Sequence, residues 1–285
     1  MKKVVAIYHK DCSDGTTAAA VILKKFPEAK VFPLHHSYTP EELQPIISLI
    51  DNEVDFYTVD CVMGVKEVLA LGFKVTSIDH HGGVKEEFEN LAKENPNYTF
   101  IFDSNKSGAS LAWSYFFPDE EVPELIKYVE DVDLWKNKLG ENTKFVARYL
   151  VSLNDKPEET LKSLNSDIGE ILTEGKIISN YADFTVEDEA QLKPIKIKIG
   201  DNLVNAYNTS SINSSVLGSI HNKSTGQTFV CYRINGESVK YSFRSTDECT
   251  PSALDLASQI GGNGHRNSAG ARTTLKKFLE MIVLE

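Results

Sequence analysis

The first half of the chain alternates short β-rich runs with amphipathic segments, and this alternation constrains the fold more than any other feature. VVAIY is followed by a helical pattern over about 16–26, KVFPL by one over about 40–50, and DFYTV by GVKEVLALG. KVTSI then precedes a helical pattern over about 84–93, and YTFIF precedes SGASLAWSYFF. Strand-like runs separated by helix-period segments predict crossover connections. The expected fold is therefore α/β, a parallel five-stranded sheet with helices on both faces. In such sheets, ligands collect beyond the carboxyl ends of the strands.

After Phe117 the pattern is helical only: ELIKYVEDVDLWK, then KFVARYLVSL, then a segment over about 166–190 without an internal stop signal. From Lys193 the β-rich runs return as PIKIKI, LVNAY, TFVCYRI and VKYSF, with helical patterns over about 251–260 and 274–282. The expected organisation is a first domain over 1–165, a helical connector over 166–192 and a smaller C-terminal α/β domain over 193–285. NTSSINSSVLGS, from Asn208, reads as a polar turn into a helix.

With 285 residues, 41% of them hydrophobic, the chain can bury a large core and is not disordered. No apolar run reaches the roughly 18 residues of a membrane span, and MKKVVAIYH lacks the features of a signal peptide. A soluble, cytoplasmic protein without a membrane partner is expected. Cys12, Cys61, Cys231 and Cys249 stand far apart with no CxxC pair, which argues against a disulfide framework and a thiolate zinc site. They read as reduced bystanders.

The formal net charge of -11 opposes tight, non-specific wrapping of a long polyanion. Its distribution is uneven: from Asn222 onward eight basic and six acidic residues give +2, leaving -13 for the first 221 residues. An acidic body with a mildly basic cap suits a small anionic ligand held partly through metal ions.

Metal-competent residues recur where strands should end. The first strand runs into His9, Asp11 and Asp14, the third ends on Asp60 and the fourth on Asp79-His80-His81. Any one of these is explained as a turn former or helix cap. Three strand ends that all carry Asp, two of them with His, point instead to a shared site. Carboxylates and imidazoles without thiolates suit Mn²⁺, Mg²⁺ or Fe²⁺.

These residues resemble the motifs of the DHH phosphoesterases, the family that takes its name from the triplet Asp79-His80-His81. HKDCSDG resembles the family's first motif through His9, Asp11, Asp14 and Gly15, although its aspartates stand three apart where related motifs commonly place them two apart. Asp60 in YTVDC matches the second motif. The fourth, an Asp on a helix, falls within VEDVDLW, where either Asp131 or Asp133 is the counterpart and Asp131 is favoured. Some 180 residues after the triplet, GGNGHRNSAG from Gly261 resembles the signature of the DHH-associated domain, preceded by the strand-borne Ser242-Phe243-Arg244-Ser245.

The resemblance implies two Mn²⁺ ions, with Mg²⁺ or another divalent ion as the alternative. Asp60 would bridge them, with His9 and Asp11 on one ion and Asp14, His80 and Asp131 on the other. Two ions roughly 3.5–4 Å apart can generate a hydroxide nucleophile and neutralise phosphoryl charge. Asp79 would orient a neighbouring imidazole, and His81 would donate to a phosphate oxygen or protonate the leaving oxygen. In the second domain Arg244, Gly262, Gly264, His265 and Arg266 would bind substrate, the glycines by letting backbone N–H groups face an anion. A glycine cluster after a helix also reads as a plain C-cap. Ser107-Gly108-Ala109, opening a helix, is a weaker phosphate candidate whose default reading is an N-cap.

The expected activity is that of a metal-dependent phosphodiesterase, of exonuclease type, acting on short oligonucleotides or small nucleotides in a cleft between the two domains. A homodimer is allowed for. A phosphatase of nucleoside bisphosphates or a phosphodiesterase of linear or cyclic dinucleotides is the nearest alternative. A non-catalytic nucleotide-binding or nucleic-acid-binding protein is the alternative from a different class.

Overall fold

The structure of the protein, a computed structural model, describes residues 3–189, 191–209 and 214–283. The chain divides into two units, Met1–Ser179 and Asn180–Glu285.

In the first unit β1 (Lys3–His9), β2 (Lys30–Leu34), β3 (Val54–Val59), β4 (Val75–Asp79) and β5 (Tyr98–Phe102) form one sheet in the order β2-β1-β3-β4-β5, every pair parallel. This is the parallel α/β sheet that the alternation predicts. Successive β1 side chains enter opposite layers, as the two-residue strand period requires. Val4, Ala6 and Tyr8 join the core formed with α1 (Ser13–Lys25), α5 (Gly108–Phe116), α6 (Glu124–Asp133) and α7 (Glu141–Ser152). Val5 and Ile7 face α2 (Pro40–Ile47), α3 (Val65–Ala70) and α4 (Lys85–Glu94). Both faces of the sheet are thus covered. Each fully buried aliphatic side chain in these layers contributes about 1.5–3 kcal/mol.

The order of connection places β2 on one side of β1 and β3 on the other. The crossovers therefore diverge at the β1/β3 boundary, the kind of switch point where an open α/β sheet leaves a crevice. After α7 come α8 (Pro157–Ser163) and the long α9 (Ile168–Glu189). α9 covers most of the 166–192 segment read as a connector, and the boundary between the units falls within it, after Ser179. Ile171 is buried in the first unit's core and Val186 in a cluster of the second. No helix among the described residues is long and apolar enough to cross a membrane.

The second unit contains β6 (Ile195–Ile199), β7 (Asn202–Asn208), α10 (Ser214–Thr225), β8 (Phe229–Asn235), β9 (Ser238–Arg244), α11 (Ala253–Ser258), β10 (Asn263–His265), β11 (Ser268–Thr274), α12 (Leu275–Met281) and β12 (Ile282–Val283). Its sheet runs β10-β11-β9-β8-β7-β6-β12, and β7–β8 is its parallel pair. Val239, Tyr241 and Phe243 of β9 pack on Leu256 and Phe278 from α11 and α12. Positions 210–213 of the polar turn, and Ala190 at the expected end of the connector, lie outside the described residues. The glycine-rich signature, read as a turn or cap, instead folds as the β10–β11 hairpin. It carries few β-branched or aromatic residues, so strand propensity does not reveal it.

Candidate active site and metal centre

The site forms beyond the carboxyl ends of β1, β3 and β4. β1 ends on His9, Asp60 directly follows β3, and Asp79 ends β4. Asp60 has a left-handed backbone (φ 57) and donates its N–H to the Ile78 carbonyl at 2.9 Å, a conformation that Asp tolerates better than most residues. Its carboxylate is 1% exposed and lies at the centre of the cluster. His80 Nε2 is 3.1 Å from Asp60 Oδ1, and His9 Nδ1 is 3.5 Å from Asp60 Oδ2. Two groups of donors share this part of the molecule. His9, Cys12 and Asp60 bring one ligand atom each within 4.8 Å of one another, as do Asp14, His80 and Asp133. Asp60, Asp79, His80 and His81 form an overlapping third set.

Asp14 sits in the first turn of α1, and the first amides of α5 hold its carboxylate. Gly108 N–H donates to Oδ2 at 2.6 Å and Ala109 N–H to Oδ1 at 2.9 Å. The N-terminus of α5 thus serves a protein carboxylate, an anion suited to the positive end of a helix. Ser107 caps that helix by accepting from Ser110 N–H. Glycine at 108 is a steric need, because a Cβ there would stand 2.6 Å from Asp60 Cβ and 3.0 Å from Asp14 Oδ2. Gly15 is needed likewise, as its Cβ would meet the His9 carbonyl at 2.5 Å.

Asp79 accepts the His80 N–H at 2.8 Å and pairs with His81 Nδ1 at 2.7 Å through the same oxygen. The imidazole it orients is therefore that of His81. This contact leaves His81 Nε2 as the ring nitrogen that can meet a ligand.

The buried charges act on one another. Burial and the carboxylates of Asp60 and Asp133 push Asp14 well above the usual carboxylate range, against the pull of His80. Burial alone would raise Asp60 too, but His80 and His9 beside it hold it well below the ordinary value. Burial opposes protonation of His80 and His81, yet Asp60 and Asp79, respectively, carry them up to about 9 and about 10. Burial and Asp60 push Asp133 up to about 6. Without a cation, protons limit the repulsion among these carboxylates, and a divalent ion would neutralise the same charge.

The structure corrects the reading of the fourth motif. Asp131 does not join the cluster, because its buried carboxylate accepts from Lys138 N–H at 2.8 Å, Leu139 N–H at 3.2 Å and Thr143 Oγ1 at 2.6 Å. Those bonds tie down the loop after α6 and hold Asp131 below the usual carboxylate range despite its burial. Asp133, two residues on, places Oδ2 3.5 Å from His80 Nε2.

Asp11 also stands apart from the three donor groups. Its N–H bonds Asp155 Oδ1 at 3.1 Å and its Oδ2 lies 3.2 Å from His35 Nε2. Of the four cysteines read as reduced bystanders, Cys12 is the one beside the site, its Sγ 3.4 Å from Asp60 Oδ2. His36, which sequence reasoning leaves unused, packs on His9 with ring centroids 4.4 Å apart.

In the second unit, strand register sets Arg244 and His265 opposite Ser268 from either side, placing all three in one cross-strand row. Four positions along β9, the row of Lys240 sets it opposite both Arg233 and Arg272. Sequence reasoning misses this row of three cations, although the two-residue period of VKYSF puts Lys240 on the same face as Arg244. Arg244 donates to Ser215 Oγ at 3.3 Å and to the Phe243 carbonyl at 2.8 Å, while Arg266 reaches the Asp247 carbonyl at 3.1 Å. The glycine N–H groups have internal partners: Gly262 N–H donates to Ala257 O and Gly264 N–H to Asn263 Oδ1, both at 2.8 Å. The structure therefore corrects their expected role as anion donors. Gly262 lets the hairpin approach closely, since a Cβ there would stand 2.3 Å from the Gly270 carbonyl.

The parallel sheet with its donors at the β1/β3 switch point, followed by the smaller mixed-sheet unit, has the fold of solved RecJ structures, as the DHH resemblance leads one to expect. In sequence, the chain is 26% identical over 298 aligned residues to the uncharacterized protein R106 of Acanthamoeba polyphaga mimivirus, covering 93% of this chain and 66% of that protein. In structure, it is similar to RecJ from Thermus thermophilus in complex with Mn²⁺, with a TM-score of 0.55, 16% identity and coverage of 98% of this chain and 50% of that one. A structure of exonuclease RecJ bound to manganese gives a TM-score of 0.52, 15% identity and coverage of 98% and 88%. The chain thus spans just under two thirds of the curated relative and half of the Thermus RecJ chain. No protein-family model matches the chain.

Proposed function

We propose that this protein is a metal-dependent phosphodiesterase that hydrolyses short oligonucleotides or small nucleotides with two divalent ions. The observation that carries this reading is the pair of donor groups on either side of Asp60: His9 and Cys12 on one side, Asp14, His80 and Asp133 on the other. The donor set fits such ions on a further count. His9 Nδ1 is buried without a hydrogen-bond partner, a state that a metal bond would resolve. Bound there, the ions would supply a hydroxide nucleophile near neutral pH and neutralise charge on the phosphoryl oxygens. Mn²⁺ is the proposed ion for activity, and the RecJ comparison structures contain manganese.

The chain's own residues supply the rest. Asp79 fixes the His81 ring, so that Nε2 can donate to a phosphoryl oxygen or protonate the leaving oxygen. Asp14, gripped by α5, cannot swing away from the cluster. On the second unit, Arg244 and His265 share a row that suits a phosphate of the substrate, and Arg233, Lys240 and Arg272 extend the cationic face.

Gly108→Ala tests the packing of the centre. The added methyl group would push Asp60 or the first turn of α5 out of place, and misplacement by about 1 Å costs about 100-fold in rate. A fall of that size in kcat is expected, measured beside circular dichroism. Unchanged turnover would show that this contact does not fix the catalytic geometry.

The substrate class is tested with Mn²⁺ on dinucleotides, a pentanucleotide, a long single strand and adenosine 3′,5′-bisphosphate. Few phosphates can be engaged by a chain of this charge, so kcat/KM is expected to peak at about two to five nucleotides with a shallow log–log salt slope of about -2. Efficiency climbing steadily beyond about ten nucleotides with a steeper slope would indicate a long-strand exonuclease. Preference for the bisphosphate would indicate a phosphatase, and tight binding without hydrolysis a non-catalytic binding protein.

A further inference from the structure

One side chain at the site has no place in the expected ligand set. Cys12 immediately precedes α1 as its N-cap residue, with extended backbone and no side-chain capping bond. Ser, Thr, Asp or Asn is the usual choice there. Its sulfur turns instead to Asp60, with Sγ 3.4 Å from Oδ2. The ligand atoms of His9, Cys12 and Asp60 all lie within 4.8 Å of one another. Bonds of about 2.3 Å to sulfur and about 2.1 Å to nitrogen span up to about 4.4 Å between two donors on one ion, so this spacing closes with small side-chain rotations. His9 Nδ1, in the same trio, is the buried nitrogen without a hydrogen-bond partner.

The other cysteines are placed differently. Cys61 lies in the apolar layer under β1 and β3, and Cys231 in a small cluster of the second unit. Asp11, the neighbouring carboxylate that could have filled the role, is turned to His35.

We propose that Cys12 is a thiolate ligand of one of the two ions, making that position a His9–Cys12–Asp60 site that favours a softer divalent ion, Zn²⁺, Fe²⁺ or Co²⁺, over Mn²⁺ and Mg²⁺. The inference rests on the two-ion reading. Binding forms an ion–sulfur bond as the S–H bond breaks, and the proton passes to solvent. A thiolate selects softer metals than carboxylate and water do, so the two positions need not hold the same element.

The test uses the full-length protein freed of metal and titrated with Co²⁺. The wild type is expected to develop a sulfur-to-cobalt charge-transfer absorption in the near ultraviolet that Cys12→Ser lacks. In Cys12→Asp, the preference for Zn²⁺ over Mn²⁺, read by competitive dialysis and elemental analysis, should fall at least about tenfold, the lower end of what a ligand-shell change does to affinity. Protection of the wild-type thiol needs no variant: peptide mapping after iodoacetamide should show Cys12 alkylated in the metal-free protein and protected once Zn²⁺ is added. Co²⁺ binding without the absorption, with Cys12 as readily alkylated as before, would overturn the proposal and leave the two-ion reading standing. Failure of the wild type to bind Co²⁺, Zn²⁺ or Mn²⁺ would overturn both.

Discussion

Asp60→Ala is expected to lower kcat by at least about a thousandfold and to strip divalent metal from the folded protein. The physical reason is its position. One oxygen lies 3.1 Å from His80 Nε2 and the other 3.5 Å from His9 Nδ1, so a single carboxylate serves both donor groups. On the two-ion reading, removing it would leave the ions to repel each other unscreened and would take away a carboxylate that both donor groups share. Charge stabilisation by such ions is worth several kcal/mol, and each 1.36 kcal/mol is tenfold in rate. Alanine also fits poorly at the left-handed backbone of residue 60, at about 1–2 kcal/mol. Asp60→Asn separates the two effects, because Asn tolerates that conformation and keeps the shape while lacking the charge. Kinetics, elemental analysis and circular dichroism on both variants form the measurement. Near-normal turnover in a folded Asp60→Asn protein would refute the central role of this carboxylate.

The sheet and most of the centre are legible in the sequence because they rest on periodicities that side-chain identity expresses directly. Five apolar runs with helical segments between them leave few arrangements, and a polar residue directly after such a run must emerge at the sheet's rim. His9, Asp14, Asp60 and His80 are found on that argument. What the sequence conceals is rotational phase and hydrogen-bond supply. Asp131 and Asp133 are two residues apart on α6, about 200° around the helix, so only one can face the cluster, and the choice depends on the loop that follows. The glycine signature is visible, but the partners of its N–H groups are not. Cys12 escapes a reading from sequence because four scattered cysteines without a paired spacing carry no metal pattern of their own. Its neighbour Asp60 stands 48 residues away, just after β3, and no local window holds both.

The pair on α6 provides the second large effect, in which the two substitutions should act in opposite ways. Asp131→Ala removes the acceptor for two loop amides and for Thr143 Oγ1 in a buried setting. Each buried donor left without a partner costs about 1–3 kcal/mol, so a loss of about 2–4 kcal/mol is expected after partial relaxation. The loop it anchors includes Trp135 and Asn137, both at positive φ, and such backbone persists only where its surroundings hold it. For a unit of this size the loss corresponds to a fall in Tm of about 5–15 °C, with metal content and kcat retained in the fraction that is folded. Asp133→Asn should do the reverse. Asp133 ends α6, where a negative charge opposes the helix dipole, so removing that charge leaves Tm unchanged or slightly raised. It also removes a donor from the Asp14, His80 and Asp133 group, and turnover should fall by about 100-fold or more together with the affinity for one ion. Differential scanning calorimetry beside kinetics and metal titration distinguishes the two. A stable but inactive Asp131→Ala protein, with Asp133→Asn near normal in rate, would return the fourth-motif role to Asp131 and require α6 to rotate when metal binds.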